Sequence, residues 1–166
     1  TGPLIEASFA RLIDILDELI MRQGYVLGAR PSSADFALFG QLTQLCQVEP
    51  TSYKVARHRP RVRAWVDRLE DLSGLEVEDD AWLAANEVGP ALAPLLGEVG
   101  RVYAPCLIAN ANAIASGEPT FETQIDGKVW TQNVFPYQAK CLAEIRAAYE
   151  ALDASAQAQV LSLIHI

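Results

Sequence analysis

Apolar positions between Leu4 and Gln23 recur at steps of three and four: Ile5, Phe9, Leu12, Ile13, Leu16, Leu19 and Ile20. Glu6, Asp14, Asp17, Glu18 and Arg22 fill much of the remainder. That period predicts an amphipathic helix with one buried stripe, and Glu18 and Arg22 stand at the favourable i,i+4 spacing. Gly24 stops it, and Tyr25-Val26-Leu27-Gly28 reads as a short apolar return. Ser32 and Asp35 then have the spacing of a capping box. The Ser32 hydroxyl is expected to accept from the Asp35 N–H, while the Asp35 carboxylate reaches back to the Ser32 N–H and faces the positive end of the helix dipole. The run behind the box, as far as Leu42, is apolar nearly all round, which predicts a central buried helix. A third helix starts with Pro60 in its first turn and ends at Ser73 before Gly74, with Val62, Trp65, Val66, Leu69 and Leu72 as its inner stripe.

Beyond Asp80 the pattern predicts a fourth helix, interrupted at Gly89-Pro90 and kinked at Pro94. Pro105 to Ser116 reads as a separate short helix, polar on one side through Asn110 and Asn112. The texture then changes to alternation. Phe121 to Ile125 and Lys128 to Gln132 flank Asp126-Gly127, the favoured two-residue hairpin turn. In that register Ile125 faces Lys128 and Thr123 faces Trp130, so Phe121, Ile125 and Trp130 share a face that has to dock on helices, because a lone hairpin is marginal in water. Tyr137 to Leu152 closes the pattern as a helix with Leu142, Ile145, Tyr149 and Leu152 as its stripe. The fold class is therefore all-α, a helical bundle with one small β-hairpin in a C-terminal extension.

Charge narrows the partners. Thirteen Lys and Arg against 21 Asp and Glu leave a net charge of −8 over 166 residues, unfavourable for general nucleic-acid or anionic-membrane binding. No apolar run reaches the length of a membrane span, and no signal-peptide pattern opens the chain. Lys54, Arg57, Arg59, Arg61, Arg63 and Arg68 form a basic segment followed by the acidic Glu76, Glu78, Asp79 and Asp80, which reads as a solvated face with neighbouring countercharge.

Little in the chain suggests chemistry. The three cysteines, Cys46, Cys106 and Cys141, are widely spaced without a Cys-x-x-Cys pair, which suits reduced thiols and a cytoplasmic location. His58, among Arg57, Arg59 and Pro60, reads as a surface residue and cannot alone supply a triad or a metal site. Phosphate-cradling glycine loops are absent. Leu161 to Ile166 resembles the translation of a transposase-adapter sequence used in DNA library preparation, so residues 161–166, His165 included, carry no functional weight here.

The stretch Tyr25-Val-Leu-Gly-Ala-Arg-Pro-Ser-Ser-Ala-Asp-Phe-Ala-Leu-Phe-Gly-Gln-Leu42 resembles the C-terminal domain of glutathione transferases, in which an apolar pair and Gly precede Ser/Thr-x-Ala-Asp at the start of a central helix. Pro60-Arg-Val-Arg-Ala-Trp-Val-Asp-Arg-Leu69 resembles the family's next helix, and the likeness runs from about Leu4 to Gly74. It implies a domain layout of 1–100 as the transferase-like helical bundle and 101–160 as an extension packed on it. It also implies an N-terminal thioredoxin-like domain, outside this chain, that binds glutathione as co-substrate and carries the thiol-activating residue. Catalytic, cofactor-binding and metal-binding residues are accordingly expected to be none here, and Ser32 and Asp35 carry over as a structural cap. The resemblance implies an acceptor-substrate-side, dimer-stabilising role within a homodimer. Family helical domains also serve as non-catalytic protein-interaction modules, which is the alternative function. Trp130 and Tyr137, near Asn110, Asn112, Gln132, Lys140 and Cys141 in the sequence, are candidates for a pocket or docking surface.

Overall fold

A computed structural model describes residues 2–164, in two compact units that divide between Leu95 and Leu96. The helices are α1 (Gly2–Gln23), α2 (Ser33–Thr43), α3 (Pro50–Ala56), α4 (Pro60–Glu70), α5 (Ala85–Glu98), α6 (Ala104–Ala115), α7 (Pro136–Glu150) and α8 (Ala154–Ile164). Five-residue π-helical segments, Gln44–Val48 and Val99–Tyr103, follow α2 and α5, and the strands are β1 (Thr120–Ile125) and β2 (Lys128–Asn133).

In the unit of residues 2–95, the stripe of α1 packs on α3 and α4. Phe9, Ile13, Leu16, Leu19 and Ile20 of α1 meet Val62, Trp65, Val66 and Leu69 of α4, with Tyr25, Leu42, Cys46 and Ala56 completing the core. One position in the expected stripe shifts: Leu4 is buried, whereas Ile5 is 53% exposed. The helix α3 and the π-helical turn before it lie where no periodic signal stands out. Glu49 starts α3 by accepting from the Thr51 and Ser52 N–H groups, at 3.1 and 2.5 Å.

The second helix departs from expectation. Only Asp35 and Leu42 of α2 are buried. Leu38 and Phe39 are partly buried against the core, while Phe36 is 49% exposed and Ala37 and Gly40 face outward. An all-round apolar sequence reports the capacity for burial on every side, and within this unit packing neighbours cover only one side of α2.

The prolines also act differently from the expectation. Helical structure runs on from Ala85 to Ala115 through Pro90, Pro94 and Pro105, without an interruption at Gly89. A proline frees the carbonyl four residues earlier, and for Pro90 and Pro94 those residues, Asn86 and Pro90, are exposed, so water satisfies what the helix loses. This run is long and apolar enough to cross a membrane by length and composition alone. Its Asn110 is fully buried, hydrogen-bonded to the backbone of Phe135.

In the unit of residues 96–164 the hairpin forms in the expected register, Ile125 opposite Lys128 and Thr123 opposite Trp130. Asp126 and Gly127 both have positive φ, 51° and 70°, as a type I′ turn requires. Phe121 and Ile125 are buried and β1 packs on α6. Arg101 pairs with Asp126, tying the second π-helical turn to the hairpin turn. Helix α8 includes residues 161–164, whereas His165 lies outside the described residues.

Candidate functional site

The most heavily bonded side chain in the unit of residues 2–95 is Asp35, on the first turn of α2 and 0% exposed. Its Oδ2 accepts from the Ser32 N–H at 2.8 Å and from the Ser32 hydroxyl at 2.5 Å. Its Oδ1 accepts from the Val26 N–H at 2.8 Å. The Asp35 N–H lies 3.1 Å from the Ser32 carbonyl oxygen, both halves of the capping box read from the spacing are present, and the Ser32 hydroxyl in addition donates to the carboxylate. Asp35 thus joins the start of α2 to the Tyr25–Gly28 turn, nine residues back. Both carboxylate oxygens are occupied by donors and shielded from water, so the group holds backbone in place and has no free lone pair aimed at solvent.

Gly28 closes the other side of that turn. Leu83 N–H donates to the Leu27 carbonyl and Ala29 N–H to the Ala81 carbonyl, both at 2.8 Å, so residues 81–83 lie as a strap along 27–29. Gly28 has φ 138°, and a Cβ there would run into the backbone of Ala81, Trp82 and Leu83. Arg30 reinforces the strap, with its guanidinium 4.6 Å from the Trp82 ring centroid and a hydrogen bond to the Glu78 carbonyl.

The arginines of the basic segment have partners. Arg59 pairs with Asp14 and Arg61 with Asp17, each at 2.7 Å, so the countercharge comes from α1. Arg63 and Arg68 lie over the rings of Tyr53 and Tyr25, at 4.9 and 4.8 Å. His58 is exposed and accepts from Arg57 Nε. Burial pushes the Cys46 thiol up to about 11 against a smaller opposing effect of Arg63, and burial also raises Cys106. Neither favours a nucleophilic thiolate. Among the described residues no group of His, Cys, Asp or Glu side chains is placed to hold a metal.

In the unit of residues 96–164, Trp130 and Tyr137 stand apart in role. Trp130 is half-buried and its indole N–H donates to Gln132 on the same strand. Tyr137 is 66% exposed, and the ring beside it is Phe135, at 6.3 Å between centroids. What organises the region is Asn110. Its amide donates to the Phe135 carbonyl at 3.0 Å and its oxygen accepts from the Phe135 N–H at 2.7 Å, which locks the β2–α7 junction to α6. Asn112, two residues on, is exposed. Nothing in local periodicity distinguishes these two asparagines.

Residues 3–68 match the family model described as the glutathione S-transferase C-terminal domain. The match is to this segment alone, less than half of the chain. The matched range takes in α1 to α3 and most of α4 and contains Gly28, Ser32 and Asp35. The transferase-domain match stops short of the 81–83 strap and of the whole unit 96–164. No curated protein and no solved structure is significantly similar to the chain.

Proposed function

We propose that this chain is the acceptor-substrate-side, dimer-stabilising helical part of a cytoplasmic glutathione S-transferase-like protein, catalytically incomplete by itself. The observation that carries this reading is the family match over residues 3–68, with the buried Asp35 node at its centre. A thioredoxin-like domain of the same protein would bind glutathione and stabilise its thiolate. The residues described here supply a rigid helical frame for the electrophile. Two features support incompleteness: the thiols that are perturbed are shifted away from reactivity, and α2 keeps an outward apolar face at Phe36, Ala37 and Gly40 on which a further element can pack. The exposed Phe135 and Tyr137 pair favours a second reading, a non-catalytic module that docks a protein partner in a larger assembly.

The test is to read the coding sequence upstream of Thr1 and assay the full product for conjugation of glutathione to a chlorinated dinitrobenzene, beside the 166-residue chain alone. Conjugation by the full product and none by the chain is expected. Conjugation by the chain alone would overturn catalytic incompleteness. A full product without a thioredoxin-like region or glutathione binding would leave the interaction module as the function.

A further inference from the structure

The hairpin register fixes which way the main chain of β2 faces. Ile125 and Lys128 flank the two-residue turn as a hydrogen-bonded pair, and bonded pairs recur at every second residue. The Val134 N–H, 3.0 Å from the Pro119 carbonyl oxygen, closes that series. The N–H and C=O groups of Val129, Thr131 and Asn133 therefore point away from β1, and among the described residues no other main-chain group meets them. Lys128, Thr131 and Asn133 are exposed, as is Val129, at 58%. The two outer sides of the hairpin are guarded differently. Pro119 precedes β1, Glu122 stands in its middle and α6 packs on it. By contrast β2 runs six residues without a proline, a bulge or a central charge, and its one charged residue, Lys128, sits at the turn. Prolines, bulges and charges are the devices that keep an unpaired strand from adding a neighbour.

We propose that the outer side of β2 is a contact between two copies of this chain, which join β2 to β2 antiparallel about a two-fold axis at Thr131. The position of the axis follows from the main chain. With Thr131 opposite its own copy and Val129 opposite Asn133, every outward N–H meets an outward C=O, about six hydrogen bonds in all. Residues directly opposite share a face, so Val129, Thr131 and Asn133 of both copies stay on the exposed side. Trp130, whose indole N–H already donates to Gln132 of its own strand, comes beside Gln132 of the second copy. No like charges face each other. Lys128 falls opposite Val134, and the two Glu122 carboxylates stand three strand spacings apart, roughly 14 Å, beyond the screening length of about 8 Å at physiological ionic strength. That self-complementarity is the argument for a second copy as the occupant. The pairing also turns a hairpin, marginal by itself, into a four-stranded sheet. The contact lies outside residues 3–68 and does not rest on the transferase reading.

The test follows the intact chain by sedimentation from about 5 to 500 μM, with hydrogen exchange of the hairpin amides alongside. A reversible dimer is expected, in which the Val129, Thr131 and Asn133 amides exchange about tenfold more slowly, while those of Glu122 and Gln124, on the outer side of β1, do not change. Thr131→Lys sets like charges opposite each other at the axis and should weaken the dimer about fivefold or more. Its side chain is exposed and faces Glu122 across the hairpin, so the fold is kept. Mixing Thr131→Lys with Thr131→Glu should restore association. A chain monomeric throughout, a dimer without protection at those three amides, or one indifferent to Thr131→Lys would overturn the proposal. Failure of the mixture to associate would overturn it as well, leaving a foreign extended segment as the occupant.

Discussion

Replacing Asp35 with Ala removes the acceptor for two buried backbone N–H groups, those of Val26 and Ser32, and for the Ser32 hydroxyl. Neither N–H has water to turn to, because Val26 and Ser32 are themselves buried. A buried donor left unsatisfied costs about 1–3 kcal/mol, so the two together should destabilise the unit of residues 2–95 by about 4 kcal/mol. That is a large part of the roughly 5–15 kcal/mol available to a domain. With a urea m-value of about 1.5 kcal/mol/M, the midpoint should fall by about 2–3 M. Ser32→Ala is the internal control. It removes the hydroxyl donation but leaves the carboxylate on both N–H groups, and should cost about 1 kcal/mol. The assay is equilibrium urea unfolding read by tryptophan fluorescence in a Trp130→Phe background, which leaves the buried Trp65 and the exposed Trp82 as reporters of this unit alone. An Asp35→Ala loss below about 1 kcal/mol, or one no larger than that of Ser32→Ala, would refute the view that the carboxylate holds two chain segments together.

Gly28→Ala should open the strap, since positive φ alone strains a side-chain-bearing residue by about 1–3 kcal/mol; faster hydrogen exchange at the Ala29 and Leu83 amides measures it. Asn110→Leu should destabilise by about 2–3 kcal/mol by stranding both backbone groups of Phe135, with its amide losing exchange protection first. Glu49 is held at about 2, below its ordinary value of 4.5, by the Ser52 and Thr51 N–H groups. Its folded value being the lower one, the stabilisation of α3 is full above pH 4.5 and is lost as pH falls towards 2. An NMR titration of the Glu49 carboxyl carbon should give a midpoint near 2, and Glu49→Gln should flatten that part of the pH–stability profile. Cys46, 0% exposed and raised to about 11, should resist alkylation at pH 8 in the folded chain and react in urea, as mass mapping of the labelled site would show.

The elements that could be read along the chain are those whose signals are local. The stripes of α1 and α4 follow from three- and four-residue spacing, and the hairpin register follows from Asp126-Gly127, whose backbone requirement leaves one pairing that keeps Phe121 and Ile125 on the inner side. Ser32 and Asp35 could be picked out by spacing, but the bond from Asp35 to Val26 could not, because it depends on how the Gly24–Gly28 turn brings residue 26 back over the helix start. The outward side of α2 was hidden for a related reason: hydrophobicity reports what a face tolerates, and whether a neighbour covers it is decided elsewhere in the assembly. Pro90 and Pro94 read as breaks because propensity counts the lost hydrogen bond without knowing that the freed carbonyls meet water.

The strap along residues 27–29 carries a consequence for anyone dividing this protein. The family match ends at residue 68, so a fragment cut there would leave the Leu27 carbonyl and the Ala29 N–H without their partners at Leu83 and Ala81. Those groups form a short open β-edge, bordered by a glycine that accepts another backbone at close range. Such an edge pairs with whatever extended chain is nearest, so the fragment would recruit the 81–83 segment of a longer molecule, or a foreign strand, in a concentration-dependent way. Cut after Leu95 instead, the chain caps its own edge.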